Sequence, residues 1–324
     1  MSEVRGARGG TLDQLYRLTV TQLRDARLGD VGFGAANLGD VGREARVLIG
    51  ALIDVAPEDF IGHPESMITT ADWQRVIEGT RLRAAGMPIG RIAGVAMFYG
   101  RAFLLGGAVL EPRADSEVLV EAVLEVVEGE GRRDEPLRIV DIGTGSGCLL
   151  ISLLAELPRA SGLGIDISAD ALMFAKQNAE RNGVASRASF VVGDALSGVS
   201  GEDVEGRFDL LISNPPYIRT DELAGLALEV RAHDPVLALD GGADGLDVYR
   251  QIGRDVATVA PHGWMFFEVG AGMAAAVCQE VDRVSGQTSH RHVSPRHVSQ
   301  RHWRVWRDLN GHERCVAART LNRF

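Results

Sequence analysis

The regular alternation of apolar runs and helical segments after Pro136 limits the fold of this chain more than any other feature. Parallel strands that are covered on both faces form near-continuous apolar runs, and each connection between them needs a crossover, usually a helix. Helical patterns at 147–157 and after Ser168 separate the first runs. Ser168 can cap the second of these helices, and Asn182-Gly183 is a left-handed stop signal at its end. Strand-like runs occur at 137–142, 162–167, 188–192, 208–213, 263–269, 303–306 and 314–319. The sequence therefore predicts an α/β fold with a doubly wound, mostly parallel seven-stranded sheet.

A region of helical periodicity precedes this alternating part. Its apolar residues recur at helical spacing in three stripes: Leu12, Leu15, Leu18 and Leu23; Ala45, Leu48, Ile49 and Leu52; and Trp73, Val76 and Ile77. A glycine-rich break from Gly29 to Gly42 separates the first two stripes. These stripes predict a small helical domain whose apolar faces form its core.

Two short apolar runs, 92–98 and 102–110, lie between the helical and the alternating parts. They flank Tyr99-Gly100-Arg101, which predicts a β-hairpin. Asp115 or Ser116 can cap the helix that follows. The predicted parts are a helical N-terminal domain at 1–86, a hairpin linker at 87–112 and an α/β domain at 113–324.

The first predicted strand runs into a loop of closely spaced glycines, Asp141-Ile142-Gly143-Thr144-Gly145-Ser146-Gly147. Glycine lets a backbone turn tightly and approach a ligand closely, and the next helix begins with unpaired N–H groups. In dinucleotide-binding folds such a loop meets a pyrophosphate. The candidate cofactor-binding residues here are Gly143, Thr144, Gly145, Ser146 and Gly147. Taken alone, the spacing also fits a purely structural turn.

Acidic residues follow the next two predicted strands. Asp166 ends the second strand about 20 residues after the glycine loop, where a carboxylate can accept hydrogen bonds from both ribose hydroxyls. Asp194 ends the third strand, where its side chain or the N–H of Ala195 can meet the edge of an adenine. Since parallel strands end at one edge of the sheet, these features predict an adenosine pocket. The Gly-x-Gly-x-Gly spacing differs from the Gly-x-Gly-x-x-Gly of NAD sites.

The fourth predicted strand ends in Asn214-Pro215-Pro216-Tyr217, the most specific motif in the chain. An amide nitrogen is a poor nucleophile because its lone pair is delocalised, so the lone pair must be aimed at a sulfonium methyl group. Two acceptors that take both N–H protons can aim it: the Asn214 side-chain oxygen and the Pro215 carbonyl. Two successive prolines fix the backbone, and Tyr217 can stack on the planar group. A rigid turn without chemistry is the other interpretation.

The order of glycine loop, ribose acid, adenine acid and Asn-Pro-Pro-Tyr resembles that of the Rossmann-like class I methyltransferases. It resembles most closely the release-factor glutamine N5-methyltransferases, the PrmC/HemK family. Further segments that resemble this family are Arg43–Leu48, Pro88–Gly94, Pro112–Glu117, Asp234–Leu246 and Asp308–Arg314. The chain departs from the family at Ala114, where the motif Pro-Arg-Pro-x-Thr-Glu has its second proline, and at Ala195, where some members carry an aromatic residue. Ser289–His302 is an insertion.

The resemblance implies an enzyme that transfers a methyl group from S-adenosyl-L-methionine to N5 of the glutamine in the Gly-Gly-Gln motif of peptide-chain release factors. It implies catalytic roles for Asn214, Pro215, Pro216 and Tyr217. It implies cofactor contacts from the glycine loop, Asp166, Asp194, Ala195 and Asn214. We expect residues 1–86 to recognise the protein partner, and the enzyme to be a cytoplasmic monomer.

Other functions remain open on these motifs. A ribosomal-protein glutamine can be methylated with the same loop, and DNA adenine-N6 methyltransferases use it on a flipped base. A non-catalytic binding protein that kept the fold is a further alternative. The chain carries 34 Lys and Arg against 44 Asp and Glu, a net charge of -10, which disfavours binding to nucleic-acid phosphates. We therefore expect no direct nucleic-acid binding.

Metal, disulfide and membrane functions are not indicated. Cys148, Cys278 and Cys315 form no Cys-x-x-Cys pair and fit free thiols in a reducing cytoplasm. The histidines of the 289–302 repeat lack a carboxylate or thiolate at useful spacing, which favours a surface loop without metal. The apolar runs are too short to cross a bilayer, and the polar N-terminus does not resemble a signal peptide.

Overall fold

A computed structural model describes residues 9–29, 41–196, 208–288 and 302–320. The chain divides into two compact units, Met1–Val95 and Ala96–Phe324. Residues 289–301, which hold most of the predicted His/Arg loop, lie outside the described residues, as do residues 30–40 of the glycine-rich break. The boundary between the units falls inside the predicted linker, and the roles assigned to 1–86, 87–112 and 113–324 stay predictions. None of the described helices is long and apolar enough to cross a membrane.

The described part of the first unit is helical, as the stripes predict. Its helices are α1 (Leu12–Gly29), α2 (Val41–Leu52), α3 (Asp59–Gly62), α4 (Thr70–Ala84) and α5 (Ile89–Ala93). Leu12, Leu15, Ile49 and Val76 are buried together in one core cluster. The stripe on α1 differs in one position, because Leu18 is half-buried while Thr19 is buried. The Thr80 hydroxyl donates to the Thr19 hydroxyl at 3.5 Å.

Strands β1 (Val95–Phe98) and β2 (Arg101–Leu104) form a short β-hairpin. Its strands are shorter than the apolar runs that predict them. The turn residues Tyr99 and Gly100 have φ of 48° and 71°. Positive φ at both central residues is typical of a type I′ turn, whose twist matches that of the flanking strands. The predicted hairpin is therefore confirmed.

The second unit contains the predicted seven-stranded sheet. Its strands are β3 (Arg138–Ile142), β4 (Ser161–Asp166), β5 (Ala188–Val192), β6 (Leu210–Ser213), β7 (Trp264–Glu268), β8 (Arg304–Arg307) and β9 (Glu313–Arg319). They lie in the order β5-β4-β3-β6-β7-β9-β8. The first five in this order pair in parallel, and β9 is antiparallel to β7 and β8. This is the Rossmann-like class I methyltransferase architecture.

Helices cover the sheet and create two core clusters. They are α6 (Glu117–Gly129), α7 (Cys148–Glu156), α8 (Ala169–Arg181), α9 (Leu228–His233), α10 (Asp247–Val259) and α11 (Ala274–Thr288). One cluster contains buried residues of α6 and α7, and the other contains buried residues of α10 and α11. Every residue of β6 is buried, which explains why all of its residues except Ser213 are apolar.

The strand order fixes where a ligand can bind. From β3 the chain moves outward through β4 and β5, then returns to β6 on the other side of β3. Connections leave β3 and β6 in opposite directions, so a crevice opens at their carboxyl ends, the topological switch point of an open α/β sheet. The glycine loop follows β3 and the Asn-Pro-Pro-Tyr loop follows β6, so the fold brings both predicted motifs to this crevice.

Candidate functional site

A cavity of about 410 Å³ lies at the carboxyl ends of β3 and β6. Its wall includes nine of the residues that the sequence predicts for the site: Gly143, Thr144, Gly145, Ser146, Asp166, Asp194, Ala195, Asn214 and Pro216. Gly147, Pro215 and Tyr217 are not among the residues that line it. The cavity lies within the range of small-molecule sites, which are about 300–1,000 Å³.

The glycine loop adopts left-handed backbone conformations that favour glycine. Gly143, Gly145 and Gly147 have φ of 71°, 55° and 80°. Gly147 serves packing, since a Cβ there would lie 2.7 Å from Cδ1 of Ile151 and 3.4 Å from Cβ of Ala175. Gly143 and Gly145 lie in the cavity wall, where a backbone without side chains can approach a ligand closely.

Asp166 ties the glycine loop to the end of β4. Its carboxylate accepts hydrogen bonds from the backbone N–H of Gly145 at 2.8 Å and of Ser168 at 2.9 Å. Burial raises the pKa of Asp166, and the two backbone hydrogen bonds act against that rise. Each carboxylate oxygen keeps acceptor capacity beyond these bonds. Asp166 can therefore support the loop and still accept hydrogen bonds from a ligand in the cavity.

Asp141 is a second acid of the loop, to which the sequence motif alone assigned no separate role. It is fully buried, and its Oδ2 accepts a hydrogen bond from the Thr144 hydroxyl at 2.7 Å. Its Oδ1 has no hydrogen-bond partner among the described residues. Burial raises the pKa of Asp141 to about 7. The contact with Thr144 shows that Asp141 supports the loop from beneath.

Asp194 and Ala195 form the end of the cavity beyond β5. The Gln251 amide donates to the Asp194 side chain and to its carbonyl, both at 3.1 Å. Ala195 has a φ of 49°, a left-handed conformation uncommon for a residue with a Cβ, and it is buried. Only a methyl group stands where some resembling proteins carry an aromatic ring.

Asn214 lies at the end of β6, between the cavity and the buried interior. The preceding residue, Ser213, anchors the strand end by donating its hydroxyl to the carbonyl of Ile142 at 2.7 Å. The side-chain amide nitrogen of Asn214 donates to the Ser116 hydroxyl at 3.3 Å. Pro215 is buried and Pro216 lies in the cavity wall. The predicted loop therefore borders the same cavity as the glycine loop.

Tyr217 lies beside the cavity rather than in its wall. A Cβ on Gly270 would lie 3.1 Å from Cδ2 and 3.3 Å from Cε2 of its ring, so the ring packs against the chain after β7. Burial raises the pKa of Tyr217 to about 12, so the phenol is neutral at physiological pH. In this position the ring supports the loop, and the predicted stacking on a substrate stays a prediction.

The segment after α9 supports the Asn-Pro-Pro-Tyr loop from below. The Ile218 N–H donates to the Leu239 carbonyl at 3.0 Å, and the Gly241 N–H donates to the Ile218 carbonyl at 2.8 Å. A Cβ on Gly241 would lie 2.7 Å from the carbonyl oxygen of Pro216 and 2.8 Å from Cα of Tyr217. Only glycine fits at 241 without displacing the loop, which explains the glycine at this position.

Two further polar residues lie beside Asn214 that no sequence motif indicates: Ser116, which lines the cavity, and Glu268, which does not line it. Ser116 makes no side-chain capping bond to helix α6, so the capping role predicted for it is wrong. Glu268, at the end of β7, is only 3% exposed. Burial raises the pKa of Glu268 to about 7, against the lowering effect of hydrogen bonds from Ser116 and Asn214 and of the nearby Arg314. Its Oε2 has no partner among the described residues.

Arg113 pairs across the mouth of the site. It donates to the buried carboxylate of Asp234 at 2.5 Å. Glu117, at the start of α6, accepts the N–H of Tyr99 at 2.7 Å. The Arg113–Asp234 pair therefore links the two segments that flank the cavity.

Fold and site together define a class I methyltransferase, and comparison with known proteins agrees. Residues 116–231 match the family model "Methyltransferase small domain". The crystal structure of the hMettl16 catalytic domain, in complex with MAT2A 3'UTR hairpin 6, superposes with a TM-score of 0.50. It is 16% identical and covers 76% of this chain and 81% of that one, a likeness of fold alone.

Curated relatives identify the family. The release factor glutamine methyltransferase of Bradyrhizobium diazoefficiens is 39% identical over 267 residues, which is 82% of this chain and 84% of that protein. The protein of the same name from Agrobacterium fabrum is 43% identical over 237 residues, covering 73% of this chain and 80% of that protein. This chain belongs to the release factor glutamine methyltransferase family and is a methyltransferase enzyme.

Proposed function

We propose that this enzyme transfers a methyl group from S-adenosyl-L-methionine to N5 of the glutamine in the Gly-Gly-Gln motif of a peptide-chain release factor. One observation carries the proposal: Asn214 and Pro216 border the same cavity as the glycine loop and Asp166. A methyl donor in that cavity and an amide held by the Asn-Pro-Pro-Tyr loop would meet there. The family relatives support the choice of acceptor.

The residues around the cavity fit the proposed cofactor. Gly143, Thr144, Gly145 and Ser146 present a backbone that side chains do not block, and Asp166 keeps acceptor capacity for ribose hydroxyls. Asp194 and Ala195 stand where an adenine edge is expected. S-adenosyl-L-methionine supplies a methyl group on a positively charged sulfur. The bond between them breaks in the transfer, and the sulfur leaves as a neutral thioether. Gly147 contributes through helix packing.

The chain's own residues would orient the acceptor. The Asn214 side-chain oxygen and the Pro215 carbonyl accept the two N–H protons of the glutamine amide, which turns its lone pair toward the methyl group. The proline pair stiffens this arrangement and Tyr217 supports it from the side. The nitrogen becomes acidic as its new bond to carbon forms, so a proton can leave to solvent without a dedicated general base. Residues 1–86 are proposed to recognise the release factor.

Transfer of a labelled methyl group tests this proposal. Purified enzyme is incubated with labelled S-adenosyl-L-methionine and either wild-type release factor or a variant with alanine for the Gly-Gly-Gln glutamine. We expect label on the wild-type factor and none on the variant. Label on both factors, or on a ribosomal protein or DNA but not on the factor, would overturn the choice of acceptor.

Gly241→Ala is expected to impair methyl transfer more than cofactor binding. The added Cβ would collide with the backbone of Pro216 and Tyr217, and displacement of a catalytic group by about 1 Å can cost about 10²-fold in rate. Gly225→Ala is the matched control, because a Cβ there meets nothing within 4 Å. Steady-state kinetics and calorimetric titration of the cofactor measure the two effects. Equal rates for the two variants would contradict the account of Gly241.

A further inference from the structure

The side-chain amide of Asn214 can serve the proposed reaction in only one of its two orientations. Its oxygen accepts a hydrogen bond, whereas its nitrogen carries two donors and accepts none. If the amide were turned by half a rotation, N–H groups would face the N–H groups of the substrate, and the acceptor would be lost. Some feature of the site must therefore select the orientation.

Two buried polar groups lie beside the Asn214 amide. Ser116 and Glu268 are each 3% exposed, and they come from different parts of the unit, the start of α6 and the end of β7. Ser213 pairs with Phe267 between β6 and β7, so Asn214 and Glu268 each lie one residue beyond that pair. The fold thus holds the carboxyl next to the amide.

The Asn214 amide faces Ser116 and Glu268 with its nitrogen, the donor side. The Asn214 amide nitrogen donates to the Ser116 oxygen at 3.3 Å. The Ser116 hydroxyl and the Asn214 amide also lie near enough to the buried Glu268 carboxyl to act as hydrogen-bonding groups that lower its pKa. Because an ionised carboxylate only accepts, both groups must face it as donors. The amide nitrogen is therefore directed toward the buried pair, and the amide oxygen is left for the opposite side.

We propose that Glu268 is a positioning residue that, together with Ser116, fixes the Asn214 amide with its oxygen toward the acceptor nitrogen. The inference rests on the proposed function, because it concerns how the same loop orients a glutamine amide. Glu268 itself does not touch the substrate. Protonation of Glu268 would create an O–H donor, and the preference for one amide orientation would be lost.

The charged and titratable groups around Glu268 set the pH at which this happens. Burial raises its pKa to about 7, Asp115 acts in the same direction, and Arg314 acts against them. The other titratable neighbours are Tyr217, Tyr249, Cys148 and Cys315, whose pKa values are all raised by burial. These Tyr and Cys neighbours stay uncharged near neutrality, whereas Glu268 changes its charge there. Asp141 under the glycine loop, whose pKa burial also raises to about 7, is the other acid of the site that titrates in this range, and the Glu268→Gln variant separates the two. The rate should rise with pH through about 7.

The test compares kcat, its pH profile and cofactor affinity for the wild-type enzyme and Glu268→Gln. For Glu268→Gln we expect kcat above neutral pH to fall about 10-fold, within the usual scale of positioning effects. We expect the Kd of S-adenosyl-L-methionine to change less than about twofold. The wild-type rise through about pH 7 should disappear in the variant. Glu128→Gln, on the exposed face of α6, is the matched control and should behave as wild type.

Ser116 variants keep the inference testable if Glu268→Gln folds poorly. Ser116→Ala should lower kcat while Ser116→Thr, which keeps a hydroxyl, restores most of it. A Glu268→Gln enzyme with wild-type kcat and pH profile would overturn the inference, and so would equal rates for the two Ser116 variants. Absence of transfer to the release factor by the wild-type enzyme would instead overturn the proposed function, and this inference with it.

Discussion

Replacing Asn214 with alanine is expected to lower kcat for methyl transfer to the release factor by about 10²–10³-fold, the usual cost of removing one preorganised hydrogen-bonding group from an active site. The substitution removes the acceptor that turns the amide lone pair toward the methyl group. It also removes the donor to Ser116 at 3.3 Å, but the Ser116 hydroxyl still lies beside the Glu268 carboxyl, whose pKa it lowers. The effect should therefore appear in catalysis and not in folding.

Single-turnover kinetics with saturating cofactor and release factor measure this loss. Titration calorimetry should give a Kd for S-adenosyl-L-methionine within a few-fold of the wild-type value. Asn310→Ala is a suitable control, because Asn310 is exposed in the turn before β9. An Asn214→Ala enzyme with more than a tenth of the wild-type rate would contradict the role proposed for this side chain.

Replacing Asp166 with alanine is expected to weaken the binding of S-adenosyl-L-methionine about 100-fold. Hydrogen bonds to a charged group contribute about 1.5–3 kcal/mol each, and about 2.7 kcal/mol corresponds to 100-fold in Kd. The variant loses the proposed acceptor for the ribose. It also frees the N–H of Gly145, which Asp166 now holds at 2.8 Å, so the glycine loop loses a restraint.

Calorimetric titration of the cofactor into each variant separates these contributions. Asp166→Asn keeps one acceptor oxygen and should weaken binding less than Asp166→Ala does. Asp170→Ala is the matched control, since Asp170 is an exposed acid in the first turn of α8. Unchanged affinity in Asp166→Ala would show that the cofactor binds elsewhere or without this acid.

The strands and caps of the second unit were largely predictable from the sequence, because each depends on a local pattern. The predicted strand at 188–192 matches β5, and the others deviate by a few residues at their ends. Ser168 caps α8 as predicted by accepting the Ala171 N–H at 3.1 Å. Gly183 adopts the predicted left-handed stop, with a φ of 72°. A strand buried on both faces is visible in the sequence as a run of apolar residues, and a helix cap is visible as a particular residue type at the helix end.

The support around Asn214 was not predictable, because it depends on contacts between distant parts of the chain. Ser116 lies 98 positions before Asn214 along the sequence and reaches it only through the fold. A serine just before a helix is typical of an N-cap, and no neighbouring residue indicates that its hydroxyl points to Asn214 instead. Glu268 ends an apolar strand and reads as an ordinary strand terminus. The position of the Tyr217 ring likewise depends on Gly270, which no local pattern connects to it.

The position of the transferred methyl group distinguishes the proposed acceptor from every other one. Release factor is methylated by the purified enzyme, digested, and sequenced by tandem mass spectrometry. We expect one methyl group on the side-chain amide nitrogen of the Gly-Gly-Gln glutamine, and none when the Asn214→Ala enzyme is used. A methyl group on any other residue, or an unmodified glutamine although the enzyme binds S-adenosyl-L-methionine, would contradict the proposed function.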